Sequence, residues 1–225
     1  MHITRLELQT SDLKEQALFY GETLGLDTRI IAGTQVLVRA GATELVFTQA
    51  DEDQRSLYHF AFNIPENQFE TAKHWLALRA ELLANEDGHT TINSETWNSQ
   101  SLYFKDTAGN ILELIARHDL KNASEQFEIL SVSEIGLATE AVLALVKSLQ
   151  EKIGLLPYKD ESSETFTAIG NADGLFIVVK QGRIWYPNTG VPAQLLAVRV
   201  HFQVDETKMI LSGVPYQMDL QIMSP

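Results

Sequence analysis

Apolar and polar residues alternate in short runs along this chain, and a few stretches of helical period interrupt the alternation. In residues 3–9, Leu6 and Leu8 fall on one side of an extended chain, and Arg5 and Gln9 fall on the other. Because side chains of a strand point alternately to its two faces, this pattern predicts a half-buried strand with a polar face.

A helix is predicted next. Asp12 offers an N-cap, and Leu13, Tyr20 and Leu24 recur at spacings that place them on one helical face. Gly25 follows as a typical helix end. Three short runs near 28–31, 35–39 and 44–48, separated by turn residues, complete a β-α-β-β-β unit.

The same order of elements begins again at residue 59. Phe60 and Phe62 lie on one face of a predicted strand, and His59 and Asn63 lie on the other. A helix is expected after Pro65, followed by strands near 89–93, 99–105 and 111–115. A shift of 54 positions places Arg5 on His59. The chain therefore contains an internal repeat with polar residues at equivalent positions.

The last strand of this second unit follows a tight turn. Residues 106–110, Asp-Thr-Ala-Gly-Asn, supply the side-chain and glycine chemistry of a chain reversal. After the turn, Glu113 points away from Leu112 and Leu114, so one strand carries a carboxylate on one face and hydrophobic residues on the other.

A third unit is predicted after a polar connection. A shift of 129 positions places Arg5 on Glu134, and a strongly periodic helix is expected between Val142 and Ile153. Strands are predicted near 165–169, 175–179 and 195–204, and too few residues remain after Val204 for a full fourth unit. We predict an α+β fold of paired modules, with a complete domain over 1–117, a linker over 118–126 and a shortened domain over 127–225.

Composition narrows the classes of partner. The 225 residues carry a formal net charge of −13, which is unfavourable for nucleic acid and for anionic lipid. The absence of cysteine excludes disulfides, zinc-thiolate sites and thiol catalysis. No apolar run approaches the ~20 residues that span a bilayer, and no signal peptide is evident. These features predict a cytoplasmic protein that binds a small molecule and can form a homodimer, with no nucleic-acid or membrane partner.

The repeated units resemble the vicinal oxygen chelate superfamily, which includes glyoxalase I, bleomycin-resistance proteins, fosfomycin-modifying enzymes and extradiol ring-cleaving dioxygenases. The segments that carry the resemblance are 11–13, 19–20 and 24–26, then His-Phe-Ala-Phe at 59–62, and Asp-Thr-Ala-Gly-Asn-Ile-Leu-Glu at 106–113. The resemblance implies half-open barrels of mixed sheets with the helices outside. It also implies a divalent metal on the concave face, bound by a His on the first strand, a His on the fifth and a Glu on the eighth.

Carried onto this sequence, the resemblance assigns His59 and Glu113 as metal ligands and catalytic residues. Arg5 occupies the first-strand position, and a guanidinium has no lone pair to give a metal. A physically simpler picture places the Arg5 cation at the metal position, paired with Glu113. Glu134 and Arg199 occupy the corresponding positions of the C-terminal part.

Three functions remain open. The first is an enzyme of the lyase or ring-cleaving dioxygenase type that uses Mn²⁺, Fe²⁺, Zn²⁺ or Ni²⁺ and no nucleotide cofactor. The second is a metal-free binding protein that uses the polar face, and the third is a structural or self-association module. The ligand-binding residues expected on the polar face, besides His59 and Glu113, are Arg5, Gln9, Asn63 and Tyr103.

One loop has two interpretations. Residues 182–190, Gly-Arg-Ile-Trp-Tyr-Pro-Asn-Thr-Gly, bring Arg183, Trp185 and Tyr186 close together. The loop either packs over the edge of the core or forms a wall of a ligand pocket.

Overall fold

The computed structural model describes residues 1–50, 56–213 and 216–219, which form strands β1 to β14 and helices α1 to α3. The strands are β1 His2–Thr10, β2 Thr28–Ile31, β3 Gln35–Ala40, β4 Thr43–Gln49, β5 His59–Ile64, β6 Ile92–Ser94, β7 Ser99–Lys105, β8 Ile111–Arg117, β9 Ser131–Thr139, β10 Phe166–Asn171, β11 Gly174–Lys180, β12 Val198–Val204, β13 Thr207–Gly213 and β14 Gln217–Asp219. The helices are α1 Leu13–Leu18, α2 Phe69–Ala77 and α3 Val142–Ile153. The predicted α+β class is confirmed.

The strands form two seven-stranded mixed sheets. The first sheet has the order β14-β13-β12-β1-β4-β3-β2, and the second has the order β10-β11-β9-β5-β8-β7-β6. Each sheet therefore joins two sequence units edge to edge through their first strands. In the first sheet β1 pairs antiparallel with β12, and in the second β5 pairs antiparallel with β9.

This pairing differs from the one expected from the sequence. The two units in residues 1–117 do not share a sheet, because β1 joins the C-terminal strands while β5 joins the third unit. The half-barrel predicted over 1–117 alone is therefore wrong. Periodicity identifies the units, but it carries no information about which first strands meet.

The local sequence explains the helices. Asp12 caps α1 by accepting a hydrogen bond from the Glu15 backbone N–H at 2.9 Å. A π-helical turn at Phe19–Thr23 extends the helix toward Gly25. In α3, Val142, Val146 and Leu149 form a buried stripe, as the predicted period requires.

The larger hydrophobic core contains residues from both sheets and all three helices. Leu112 and Leu114 of β8 enter this core beside Phe60 and Phe62 of β5. The alternation of each strand consequently turns Glu113 away from the helices, to the concave side of the second sheet.

The turn before β8 is built around a buried carboxylate. Asp106 accepts hydrogen bonds from Gln16 Nε2, from the Tyr20 hydroxyl and from both the backbone and side-chain amides of Asn110. Burial raises the pKa of Asp106, and these donors oppose that rise. Since Gln16 and Tyr20 belong to the first unit, Asp106 joins that unit to the second sheet.

The connection from β8 to β9 contains no helix or strand. It is nevertheless held in place, because Ser124 O accepts hydrogen bonds from the side-chain amides of Asn67 and Gln68, and Asn122 Oδ1 accepts one from the Glu66 backbone. In the described part of the chain after β12, strands β13 and β14 follow without a helix, which confirms the shortened C-terminal module. None of the described helices is long and apolar enough to cross a membrane.

Candidate functional site

Three ionisable side chains meet on the concave face of the second sheet. Ala61 of β5 lies directly between Glu113 of β8 and Glu134 of β9, and His59 lies two residues earlier on the same face. Nitrogen or oxygen atoms of His59, Glu113 and Glu134 all lie within 4.8 Å of one another. The pairing of β5 with both β8 and β9 is therefore what assembles the cluster.

His59 is buried, and its orientation is fixed by the backbone. Its Nδ1 lies 3.1 Å from the Ile111 carbonyl oxygen, so Nδ1–H donates and the lone pair is left on Nε2. Nε2 lies 3.9 Å from Glu113 Oε2. Burial lowers the pKa of His59 to about 4, so the imidazole is neutral at pH 7.

Glu113 is only 2% exposed. Burial, reinforced by the negative charge of Glu134, raises the pKa of Glu113 to about 8. Hydrogen bonds from Ser101 and Tyr103 and the charge of Arg117 oppose this rise. The metal-free cluster therefore holds a proton on Glu113 at pH 7.

Glu134 has a different partner. Arg117 Nη2 donates to Glu134 Oε1, and Arg117 Nε donates to Asn63 Oδ1 at 3.3 Å. Arg117 is completely buried, and its guanidinium lies 5.4 Å from the Trp97 ring centre. Burial raises the pKa of Glu134, whereas the charge and hydrogen bond of Arg117 lower it. Glu134 thus has a buried cation, Arg117, as its hydrogen-bond partner, and Glu113 does not.

The donor set fits a divalent cation. A neutral imidazole nitrogen and two carboxylates are ligands that Mn²⁺, Fe²⁺, Ni²⁺ and Zn²⁺ accept. The hydrogen bond from His59 Nδ1 to Ile111 is the outer contact that orients a metal-binding histidine. Because Arg117 engages only Oε1 of Glu134, the other oxygen remains free to bind. His59, Glu113 and Glu134 are accordingly the residues that could hold a metal.

A cavity of about 240 Å³ opens above the cluster. Aromatic and aliphatic side chains make up most of its walls, and Ser94, Ser99 and Ser101 add hydroxyl groups. The large wall residues are Ile92, Trp97, Tyr103, Ile115, Phe166, Ile177, Val179, Ile184, Trp185 and Tyr186. The cavity combines a polar floor with walls suited to a planar apolar group.

Trp185 forms the wall closest to His59. The two ring centres are 4.9 Å apart, and Trp185 is buried. Gly136 makes this packing possible, because a Cβ at that position would lie 2.5 Å from Trp185 Cη2. Residues 183–186 line the cavity, and Trp185 is also buried in a hydrophobic cluster of the second sheet, so the loop fits both interpretations.

The residues predicted for the site divide between the two sheets. His59, Glu113 and Tyr103 line the cavity, and Asn63 contacts it indirectly through Arg117. Arg5 and Gln9 lie on the first sheet instead. Arg5 donates to Glu7 at 2.8 Å and to Glu44 at 3.0 Å, so the expected pair of Arg5 with Glu113 is wrong.

Two charged residues at the site were not predicted to belong to it. The sequence places Glu134 at a ligand position of its own unit but not beside His59, and it assigns Arg117 no part in a site. The sequence does contain a signal for Arg117. Arg117 ends the strongly apolar run 111–117 and lies on the same face of the strand as Glu113. A buried arginine at that position needs a carboxylate partner.

Comparison with known proteins supports the fold. No family model matches the chain, and no curated protein is significantly similar to it. Among solved structures, a "putative dioxygenase" from Bacillus subtilis superimposes with a TM-score of 0.59 at 17% identity, covering 80% of this chain and 63% of that one. A glyoxalase I variant from Zea mays superimposes with a TM-score of 0.52 at 13% identity, covering 94% and 88% of the two chains.

These similarities confirm the fold that the resemblance implies. The chain spans only 63% of the length of the Bacillus protein.

Proposed function

We propose that this chain, built on the fold of the vicinal oxygen chelate proteins, is an enzyme that binds a divalent metal and acts on a small substrate with two adjacent oxygen atoms. The convergence of His59, Glu113 and Glu134 at the floor of a cavity is the observation that carries the proposal. A bound metal would act as a Lewis acid that polarises the substrate oxygens.

The side chains of this protein have distinct parts in that chemistry. His59 offers a neutral donor, because its proton is committed to the Ile111 carbonyl. Glu113 holds a proton in the metal-free protein, because its pKa is raised to about 8, and it would release that proton on binding the metal. Glu134 stays oriented by Arg117. Trp185 covers His59 and keeps bulk water from that side of the cluster.

The size and lining of the cavity favour one of the two reaction types expected from the resemblance. At about 240 Å³ it lies below the range of roughly 300–1,000 Å³ typical of ligand sites. A single substituted ring matches this space better than a larger substrate does. Because aromatic rings line the walls, an aromatic vicinal diol is the favoured substrate class, and ring cleavage is the favoured reaction.

A titration of chelator-treated protein with Mn²⁺, Fe²⁺, Ni²⁺ and Zn²⁺ tests the proposal. We expect one ion per chain for at least one metal, with affinity reduced at least tenfold in Glu113→Gln and in Glu134→Gln. Glu44→Gln is the matched control. It also removes a partly buried carboxylate, but Glu44 lies on the first sheet and not at the cluster. Absence of stoichiometric binding by the wild type would refute the metal site.

Oxygen uptake with catechol then tests the reaction. The Fe²⁺- or Mn²⁺-loaded wild type should consume oxygen, and Glu113→Gln should not. Metal binding without oxygen uptake would restrict the proposal to the metal site and contradict the dioxygenase reaction.

A metal-free binding protein is the second candidate, and the Arg117–Glu134 pair favours it. With Glu113 protonated, Arg117 already balances the remaining charge of the cluster. In that case the wild type should bind catechol with equal affinity before and after treatment with chelator.

A further inference from the structure

The loop of residues 182–190, which we call the rim loop, is closed by backbone hydrogen bonds to residues 191–193. The backbone N–H of Gly182 donates to Ala193 O at 2.8 Å, and the N–H of Ala193 donates to Arg183 O at 2.8 Å. The N–H of Trp185 donates to Val191 O at 3.0 Å. This backbone pairing between the two arms of the loop fixes where the side chains of Arg183 and Trp185 are presented.

Arg183 lies at the mouth of the cavity. It lines the cavity and also a neighbouring groove of about 370 Å³ that includes Glu86 and Asp87. Its guanidinium carbon lies 5.1 Å from the ring centre of Phe166, which is itself a wall residue. This cation–π contact holds the side chain at the rim and lowers the entropy lost when a ligand binds.

The guanidinium has unused binding capacity. Within the part of the chain that the structure describes, no carboxylate lies within 4.0 Å of Arg183, and Arg183 is the single lysine or arginine among the cavity-lining residues. Its planar fork of N–H donors matches a carboxylate.

We propose that Arg183 binds an anionic substituent of the ligand and that the ligand is a small aromatic acid. The ring occupies the space between the aromatic walls, and its carboxylate meets Arg183 at the rim. Only the placement of the diol end, toward His59 and Glu113, rests on the proposed function. Arg183 thus selects aromatic acids over neutral rings of the same size.

A matched pair of ligands tests this selection. Catechol and 3,4-dihydroxybenzoate carry the same diol, and only the second is anionic at its ring substituent. Calorimetric titration of the metal-loaded wild type at pH 7 should show tighter binding of 3,4-dihydroxybenzoate. Arg183→Gln should weaken 3,4-dihydroxybenzoate by about tenfold and catechol by less than about twofold, the size expected for a partly exposed charge-assisted hydrogen bond. Arg183→Lys should recover part of the loss.

The control variant is Arg199→Gln, which removes an exposed arginine from the first sheet. It should leave both affinities unchanged, so a general change in protein charge does not account for the effect. Benzoate and benzyl alcohol, tested on chelator-treated protein, have no diol and test Arg183 even if no metal binds. The same selective loss for benzoate is expected in Arg183→Gln.

Two outcomes would overturn the proposal. Equal loss of affinity for the anionic and neutral ligands would mean that Arg183 only holds the wall of the cavity in place. No loss for either ligand would mean that the guanidinium does not contact the ligand. Failure of the metal titration with a selective benzoate effect would instead remove the metal site and leave the Arg183 subsite standing.

Discussion

Arg117 and Glu134 form an ion pair in which neither side chain is more than 3% exposed. Arg117 ends β8 and Glu134 lies in β9, so the pair reaches across β5, which lies between them in the sheet. The pair therefore joins the second unit to the third beside the candidate metal ligands.

Loss of Arg117 should strongly destabilise the protein. Arg117→Met leaves Glu134 buried without its cation, and breaking such a pair costs about 3–5 kcal/mol of unfolding free energy. The double variant Arg117→Met with Glu134→Met should recover most of this loss, because no buried charge remains. Urea denaturation of the metal-free proteins measures both effects.

An exposed pair supplies the comparison. Lys159 and Asp119 form an ion pair at the surface, and Lys159→Met should cost less than about 1 kcal/mol. Equal destabilisation by Arg117→Met and Lys159→Met would contradict the assigned burial of the Arg117–Glu134 pair.

The stability of the metal-free protein should fall between pH 6.5 and 8. The folded-state pKa of Glu113 is raised from 4.5 to about 8, so the folded protein holds a proton that the unfolded chain has released in this range. The resulting loss is about 2 kcal/mol by pH 8. His59, whose pKa is lowered from 6.5 to about 4, acts in the opposite direction and only below about pH 6.5.

Denaturation curves at several pH values, with and without Glu113→Gln, isolate this contribution. The variant cannot ionise at position 113, so its stability should decline less than that of the wild type over the same range. Parallel pH dependences of the two proteins would show that Glu113 does not hold the extra proton.

Arg5→His should not create a metal site. From the sequence, that substitution would complete a constellation with His59 and Glu113, but Arg5 lies on the first sheet beside Glu7 and Glu44. Titration should therefore give the same metal affinity for Arg5→His and the wild type. A gain in affinity that disappears in Arg5→His with Glu113→Gln would contradict the strand pairing.

Gly136→Ala should displace Trp185 from its place over His59. The added Cβ would lie 2.5 Å from Cη2 and 2.8 Å from Cζ2 of the indole, so the ring must move. We expect a changed tryptophan fluorescence spectrum and a loss of about 1–3 kcal/mol in stability. Adding Trp185→Leu should make Gly136→Ala nearly neutral, and persistence of the full cost would place the clash elsewhere.

Much of the fold follows from the sequence because period and turn chemistry act locally. The alternation in 59–64 and in 111–115 predicts strands, and the same alternation sends Glu113 to the face opposite Leu112. The partner of each first strand is a different matter, because it depends on contacts between distant edges. The shifts that align Arg5, His59 and Glu134 identify equivalent positions and cannot tell which of them become neighbours.

Burial distinguishes the two sheets where periodicity does not. Every residue of β5 and of β8 is buried, whereas Arg5, Glu7 and Gln9 of β1 remain partly exposed. The polar face of β1 can therefore satisfy its charges locally and beside water, through the ion pairs of Arg5. The buried charges of Glu113, Glu134 and Arg117 must be satisfied by one another, by a proton or by a bound cation.

Along the chain, all strands of the second sheet lie between the two groups of strands, β1–β4 and β12–β14, that form the first sheet. The segment from β5 to β11 is synthesised without interruption and includes every residue of the candidate site except the rim loop that follows it. Strand β1 must instead wait for β12, almost 200 residues later, before its second edge is paired. On the ribosome the site-bearing sheet can close first, while β1 exposes a free edge that is open to wrong pairing until synthesis reaches β12.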